Sequence, residues 1–118
     1  LLQQNWERFT RVMAPKVIGT WNLHVLTQDL PLEFFVCFSS IASLLGSPGQ
    51  GNYAAANAFM DALCYHRRGL NLPSLSINWG PWADAGMAAS LNSRYQARMV
   101  VMGLSPISPE QGLLVLDL

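Results

Sequence analysis

Apolar residues recur near the start of the chain at close to the helical period: Trp6, Phe9, Val12 and Met13, then Val17, Trp21 and Val25. That spacing puts them on one face, so it predicts a helix from Gln4 to about Leu26. Pro15 predicts a break or bend inside it, because proline removes a backbone donor and crowds the preceding turn. After Pro31 the pattern changes. Leu32 to Ser39 is a near-continuous apolar run of strand length, which suits a parallel strand buried on both faces. Gly46 to Gly51 reads as a loop. The alanine-rich stretch from Asn52 to about Arg68 predicts a strong helix, with Gly69 as its stop. Pro73 to Asn78 is a second short apolar strand, broken off by Gly80-Pro81. Residues 83–103 are Ala- and Met-rich and predict one or two short helices over a loop. Ser108 followed by Gln111 predicts a helix start with a capping box.

Helix, strand, helix, strand, helix implies right-handed crossovers on a parallel sheet, hence an α/β fold. Two strands do not make a stable sheet of this kind, so the first half of the sheet is expected to lie outside the chain. Composition points the same way. The 118 residues are 51% hydrophobic but only 12% charged, against about 25% charged in ordinary domains. Apolar surface covered by missing chain would account for this. The chain starts at Leu1 without Met, and its closing run Leu113-Leu114-Val115-Leu116 reads as cut within a helix.

The formal net charge is zero and there are no basic runs, so nothing suggests nucleic acid or an anionic membrane surface. No apolar stretch approaches the ~20 residues of a membrane span. Cys37 and Cys64 are far apart and form no metal or redox motif; they are expected to be reduced core thiols of a cytoplasmic protein.

The candidate chemistry centres on Tyr53. Asn57 follows it by four residues and shares its helix face. Tyr53 alone reads as a packing aromatic. Asn is a poor residue within a helix, so Asn57 gains weight as a functional group. Ser39 and Ser40 end the first strand and point to opposite sides, so only one of them can face Tyr53. Lys16 alone reads as a solvated lysine.

Taken together, Pro15-Lys16-Val17 with Gly19, the run from Phe38 to Asp61, and Ile77-Asn78-Trp79-Gly80-Pro81-Trp82 resemble the ketoreductase domain of modular type I polyketide synthases. That domain belongs to the short-chain dehydrogenase/reductase superfamily, and the resemblance covers essentially the whole chain. It implies a partial Rossmann-like, three-layer α/β fold with residues 1–118 as the C-terminal part of the catalytic domain. The tetrad region would be 16–57 and the mobile lid about 83–103. Most short-chain reductases place Lys four residues after the Tyr; these ketoreductases are similar to the present sequence in having Asn there and Lys on the earlier helix. The implied catalytic tetrad is Lys16, Ser40, Tyr53 and Asn57, the family spacing selecting Ser40 over Ser39.

The implied reaction is reduction of a β-ketoacyl thioester by NADPH, with the substrate carried on the phosphopantetheine of an acyl carrier protein. Tyr53 would act as general acid, Ser40 would hydrogen-bond the same oxygen, Lys16 would hold the cofactor ribose, and Asn57 would order a water in the proton path. Asn78, Gly80 and Pro81 would pass the nicotinamide. Leu45, Trp82 and Met87 would line the acyl groove, while Trp79 reads as core. Met87, Met99 and Met102 would serve either an adaptable acyl surface or the lid's own core. Leu45 stands eight residues before Tyr53, where A-type family members usually carry Trp; its identity implies a B-type, D-configured product.

A phenol titrates near pH ~10. At ~4 Å an ammonium stabilises a phenolate by about 1 kcal/mol in bulk water and about 4 kcal/mol at an effective dielectric of ~20. Lys16 can therefore poise Tyr53 only in a site largely closed to water. The glycine-rich dinucleotide fingerprint and the final strand are absent, so the segment by itself is expected to be inactive, with the missing N-terminal half and the other synthase domains as its partners. Two other readings compete: a non-catalytic scaffolding or inactive copy, and a reductase of free small molecules. The complete tetrad argues against the first, and Asn57 against the second.

Overall fold

The computed structural model describes residues 5–83 and 99–117. Met87 and most of the expected lid lie outside them. Helix α1 spans Trp6–Met13 and is capped by Asn5, whose side chain accepts the Arg8 N–H at 2.9 Å. The helix does not break at Pro15. Residues Ala14–Ile18 form a π-helical turn, closed by the Gly19 N–H on the Ala14 carbonyl, and α2 continues over Gly19–Thr27. The wider turn takes in the proline without ending the helix.

Strand β1 covers Val36–Ser40, a shorter element than the apolar run predicts. Pairing begins at Phe35, whose carbonyl accepts the Leu75 N–H at 2.9 Å. Apolar content therefore overstates the strand: Leu32 is half-buried and Phe34 exposed, and the ladder alone marks what is strand. A short helix α3, Ala42–Leu45, follows at once; the sequence pattern contains no sign of it. Gly46 has φ 72°, a backbone region that glycine enters freely, and it turns the chain out of α3. Helix α4 runs over Gly51–Gly69, and strand β2 over Leu75–Trp79. The two strands form a parallel sheet, as expected of the α/β class. Helix α5, Pro109–Leu116, begins with the expected capping box of Ser108 and Gln111.

The chain divides into two compact units, residues 1–78 and 79–118. In the first, Cys37 of β1 packs against Met60 and Cys64 of α4, with Phe35 beside them. Cys37 and Cys64 are both free and buried, and they hydrogen-bond each other although distant in sequence. One expectation fails here. Only one face of β1 is covered: Cys37 and Ser39 are buried, whereas Val36 and Phe38 are exposed.

The C-terminal end of α4 holds a buried cation. Arg67 is wholly inaccessible and stacks 4.0 Å from the Phe35 ring centroid. Its Nη1 lies 3.1 Å from Nδ1 of the buried His24, and its Nε donates to the Pro73 carbonyl at 3.4 Å. A guanidinium only donates, so His24 Nδ1 must be the unprotonated acceptor. Burial first, then Arg67 and His66, push the His24 pKa below its ordinary value.

In the second unit Trp82 and Ile107 form a parallel bridge, with the Ala83 N–H on the Ile107 carbonyl and the Ile107 N–H on the Pro81 carbonyl, both at 2.8 Å. Trp79 is buried as expected, and its ring lies 4.7 Å from that of Trp82. Gly112 makes room for Trp82: a Cβ there would collide with the indole. Among the described residues no helix is long and apolar enough to cross a membrane.

Candidate active site

Three elements of the first unit bring the sequence-selected groups together. The π-helical turn presents Lys16, helix α4 presents Tyr53 and Asn57, and the carboxyl end of β1 presents Ser40. Lys16 Nζ donates to Asn57 Oδ1 at 2.9 Å and to the Phe38 carbonyl at 3.4 Å. It lies 5.4 Å from the centroid of the Tyr53 ring. Asn57 is completely buried, and its Nδ2 donates to the Tyr53 carbonyl at 2.8 Å. One amide thus ties the lysine to the helix turn that carries the tyrosine, which is why an asparagine interrupts an alanine-rich helix. Lys16 and Tyr53 are half-buried. Burial pushes the Lys16 pKa below its ordinary value, and Cys37 and Asp61 act in the opposite sense.

The two serines divide as strand alternation requires. Ser39 is buried and donates to the Asn57 carbonyl at 3.3 Å, so it faces α4. Ser40 is half-buried, and its Oγ accepts the Ala42 N–H at 3.2 Å, leaving its own proton to donate. Among the described residues no hydrogen bond joins Ser40 Oγ to Tyr53. Leu45, at the end of α3, is largely exposed.

Behind these groups sits a residue whose importance the sequence pattern does not announce. Asp61 accepts from Ser43 Oγ at 2.6 Å and Asn78 Nδ2 at 2.8 Å through one oxygen, and from Ser76 Oγ at 2.5 Å through the other. Burial alone would push its carboxyl up; hydrogen bonds, led by those from Ser43 and Ser76, outweigh that and hold its pKa below the ordinary value. One signal does point to it: Asp61 lies four residues after Asn57 and eight after Tyr53, on the same helix face. Asn78, expected near the cofactor, spends its amide nitrogen in this network, reaching Ser43 Oγ at 2.7 Å and the Ser40 carbonyl at 3.3 Å. Any further contact from Asn78 falls to its Oδ1 or its backbone. Gly80, Pro81 and Trp82 belong to the second unit.

Known proteins resemble the chain in sequence and in fold. Residues 1–84 match the family described as KR domain. The phenolphthiocerol synthesis polyketide synthase type I Pks15/1 of Mycobacterium marinum is 52% identical over 112 residues, 94% of this chain and 5% of the relative. A Pks1 polyketide synthase of Mycobacterium tuberculosis, whose name marks it as inactive, is 48% identical over 94% of this chain and 7% of its own length. A solved structure of A-type ketoreductases from a modular polyketide synthase superposes with TM-score 0.87 at 42% identity, covering 98% of this chain and 24% of that one. The chain therefore spans a small part of the proteins it resembles. It belongs to the KR-domain family, the ketoreductases of polyketide synthases.

Proposed function

We propose that residues 1–118 are the C-terminal part of a ketoreductase catalytic domain within a larger synthase, reducing a β-ketoacyl thioester on acyl carrier protein to the β-hydroxyacyl thioester. The observation that carries this reading is the chain of contacts Lys16–Asn57–Tyr53, at 2.9 and 2.8 Å, with the ammonium 5.4 Å from the phenol ring. A purely scaffolding copy has no use for a buried amide that aims a lysine at a tyrosine.

NADPH is the proposed cofactor, and the donor set fits it. The Lys16 ammonium has three protons and, among the described residues, two acceptors, which leaves a proton for a ribose hydroxyl. A Cβ at Gly80 would make only an ordinary 3.5 Å contact with Ile107, so packing within the chain does not require glycine there. That supports a reading in which Gly80 and Pro81 pass close to the nicotinamide. The cofactor supplies the hydride when bound.

The chain's own residues manage the oxygen. Negative charge develops on the β-carbonyl oxygen as the β-carbon is reduced. Tyr53 donates its proton to that oxygen, a general-acid contribution of about 10²–10⁴-fold. Ser40 donates a hydrogen bond to the same atom, with its lone pair already held by Ala42. Lys16 stabilises the phenolate left behind, and Asn57 keeps the ammonium from rotating away. Asn57 is the residue proposed to order a water that returns a proton to Tyr53. Leu45, where A-type enzymes usually carry Trp, supports a D-configured alcohol.

The test is NADPH consumption by the full-length synthase with an N-acetylcysteamine β-ketothioester. Tyr53→Phe should reduce turnover at least a hundredfold while leaving NADPH binding intact. Turnover within tenfold of the parent would remove Tyr53 as the acid. Chiral chromatography of the same product reads the configuration, and a dominant L-alcohol would overturn the role given to Leu45.

A further inference from the structure

One half-buried polar network is not consumed by the proposed chemistry, and it touches β1 and α4, two of the three elements that present the site. Asp61 gathers donors from α3 through Ser43, from the middle of β2 through Ser76, and from the end of β2 through Asn78. The two Asn78 Nδ2 protons serve Asp61 and Ser43, and the Ser40 carbonyl at 3.3 Å and Ser39 Oγ at 3.4 Å lie at longer reach of the same nitrogen, within the same network. Ser39 in turn donates to the Asn57 carbonyl. The carboxylate also fixes which way the Asn78 amide points, because only its NH₂ side can face an anion.

We propose that Asp61 is a positioning residue for the reduction. It locks the Ser40 end of β1 and the end of β2 to the helix that carries Tyr53 and Asn57. The inference rests on the reductase reading above and adds a residue to it. Its physical basis is geometry. Ser40 and Tyr53 sit on different elements and, among the described residues, share no direct hydrogen bond. Something else must hold their hydroxyls at a common distance from one substrate oxygen. A carboxylate can do this because it is acceptor-only, so Ser43, Ser76 and Asn78 can all donate to it without competing for a proton. Charge-assisted bonds of this kind are short and directional. A misplacement of about 1 Å between catalytic groups can cost on the order of 10²-fold in rate. Alignment of this kind matters in the transition state more than in the bound ground state, so its loss should fall on kcat.

The experiment compares Asp61→Asn, Ser76→Ala and Tyr53→Phe in the full-length synthase, with kcat, KM for the N-acetylcysteamine thioester, NADPH affinity and thermal melting measured together. Asp61→Asn keeps the volume but turns an NH₂ group toward donors. It should lower kcat ten- to a hundredfold with KM and NADPH affinity within threefold. Ser76→Ala removes one donor and leaves the carboxylate in place; it should lower kcat three- to tenfold with melting little changed. A parent-like kcat for Asp61→Asn alongside an inactive Tyr53→Phe would overturn the positioning role and leave the reductase reading standing. An Asp61→Asn loss that tracks only the unfolded fraction, with parent-like kcat per folded molecule, would also overturn it. Parent-like turnover of Tyr53→Phe would bring down both.

Discussion

Helix α4 carries Asp61 near its middle and Arg67 less than two turns later, and the fold accommodates the two charges in different ways. Asp61 is surrounded by hydroxyl and amide donors from β2 and from α3. Arg67, wholly buried, has among the described residues no carboxylate in ion-pair contact. It is held by the Phe35 ring face, a neutral imidazole and one carbonyl, and its Nη2 has no hydrogen-bond partner there. The anion sits where several elements must be held in register around reacting atoms. The cation sits where α2, α4 and the segment leading into β1 only need to be pinned together. Directional hydrogen bonds serve the first purpose. A flat cation stacked on an aromatic ring serves the second, since cation–π attraction strengthens as water is excluded. The N-terminal half of α4 should therefore report in rate and the C-terminal half in stability.

The sharpest break of that contrast would come from Lys16. Lys16→Met should lower turnover of the full-length synthase on the order of 10²-fold, as loss of one preorganised donor does in other enzymes. Thermal melting should hardly move. If melting falls and kcat does not, Lys16 belongs with the scaffold.

Arg67→Ala should behave in the opposite sense. It removes a buried side chain and its ring contact, and should cost about 3 kcal/mol of stability in urea titration, with turnover per folded molecule preserved. Arg67→Met should cost less than half of that, because it keeps volume and removes a charge that was expensive to desolvate. A tenfold drop in kcat for Arg67→Met would erase the distinction between the two ends of α4.

The smallest effect is in pH. His24 is held neutral in the fold, with its pKa below the unfolded value of about 6.5. Below that pH the unfolded chain binds a proton that the folded chain refuses, so stability is lost as the pH falls from about 6.5. Above it this group contributes no slope. Denaturation midpoints of parent and His24→Gln, compared at pH 7.5 and 5.5, should draw closer at the lower pH. Parallel loss in both would place the acid sensitivity elsewhere.

Much of this arrangement is legible in the sequence. Asn57 is visible because it interrupts a run of alanines, whereas Tyr53 and Lys16 are each bland alone and become visible only through the family resemblance of the whole pattern. The Ser108 capping box is legible because it is local. What escapes detection is long-range or compensated. Asp61 looks like an ordinary helix carboxylate until strand ends distant in sequence supply its donors. The His24–Arg67 contact joins two helices that sequence separates widely. Helix α3 is a single turn, too short to show a period. The apolar run before β1 overstates the strand because apolar residues such as the exposed Phe34 carry no mark of whether their backbone is paired. The expectation that β1 is covered on both faces fails for Val36 and Phe38, which remain exposed.

The π-helical turn at Ala14–Ile18 has a consequence for how such a helix tolerates changes in length. A π turn is an α turn holding one residue too many, so the stretch has a spare position already accommodated by hydrogen bonds of longer reach. Removing one residue there would let α1 and α2 merge into a continuous α-helix with its backbone still bonded. The segments would then be turned against each other by about 100°, the angle of one helical residue. Either the α1 end, where the Arg8 carbonyl accepts from Asn52, or the α2 end, where His24 meets Arg67, would lose its contact, and the ammonium of Lys16 would swing off the tyrosine. A one-codon deletion in this stretch would therefore leave a helix but not a site, whereas an equal deletion in the Ser47–Gln50 loop would disturb the backbone more visibly and the lysine less.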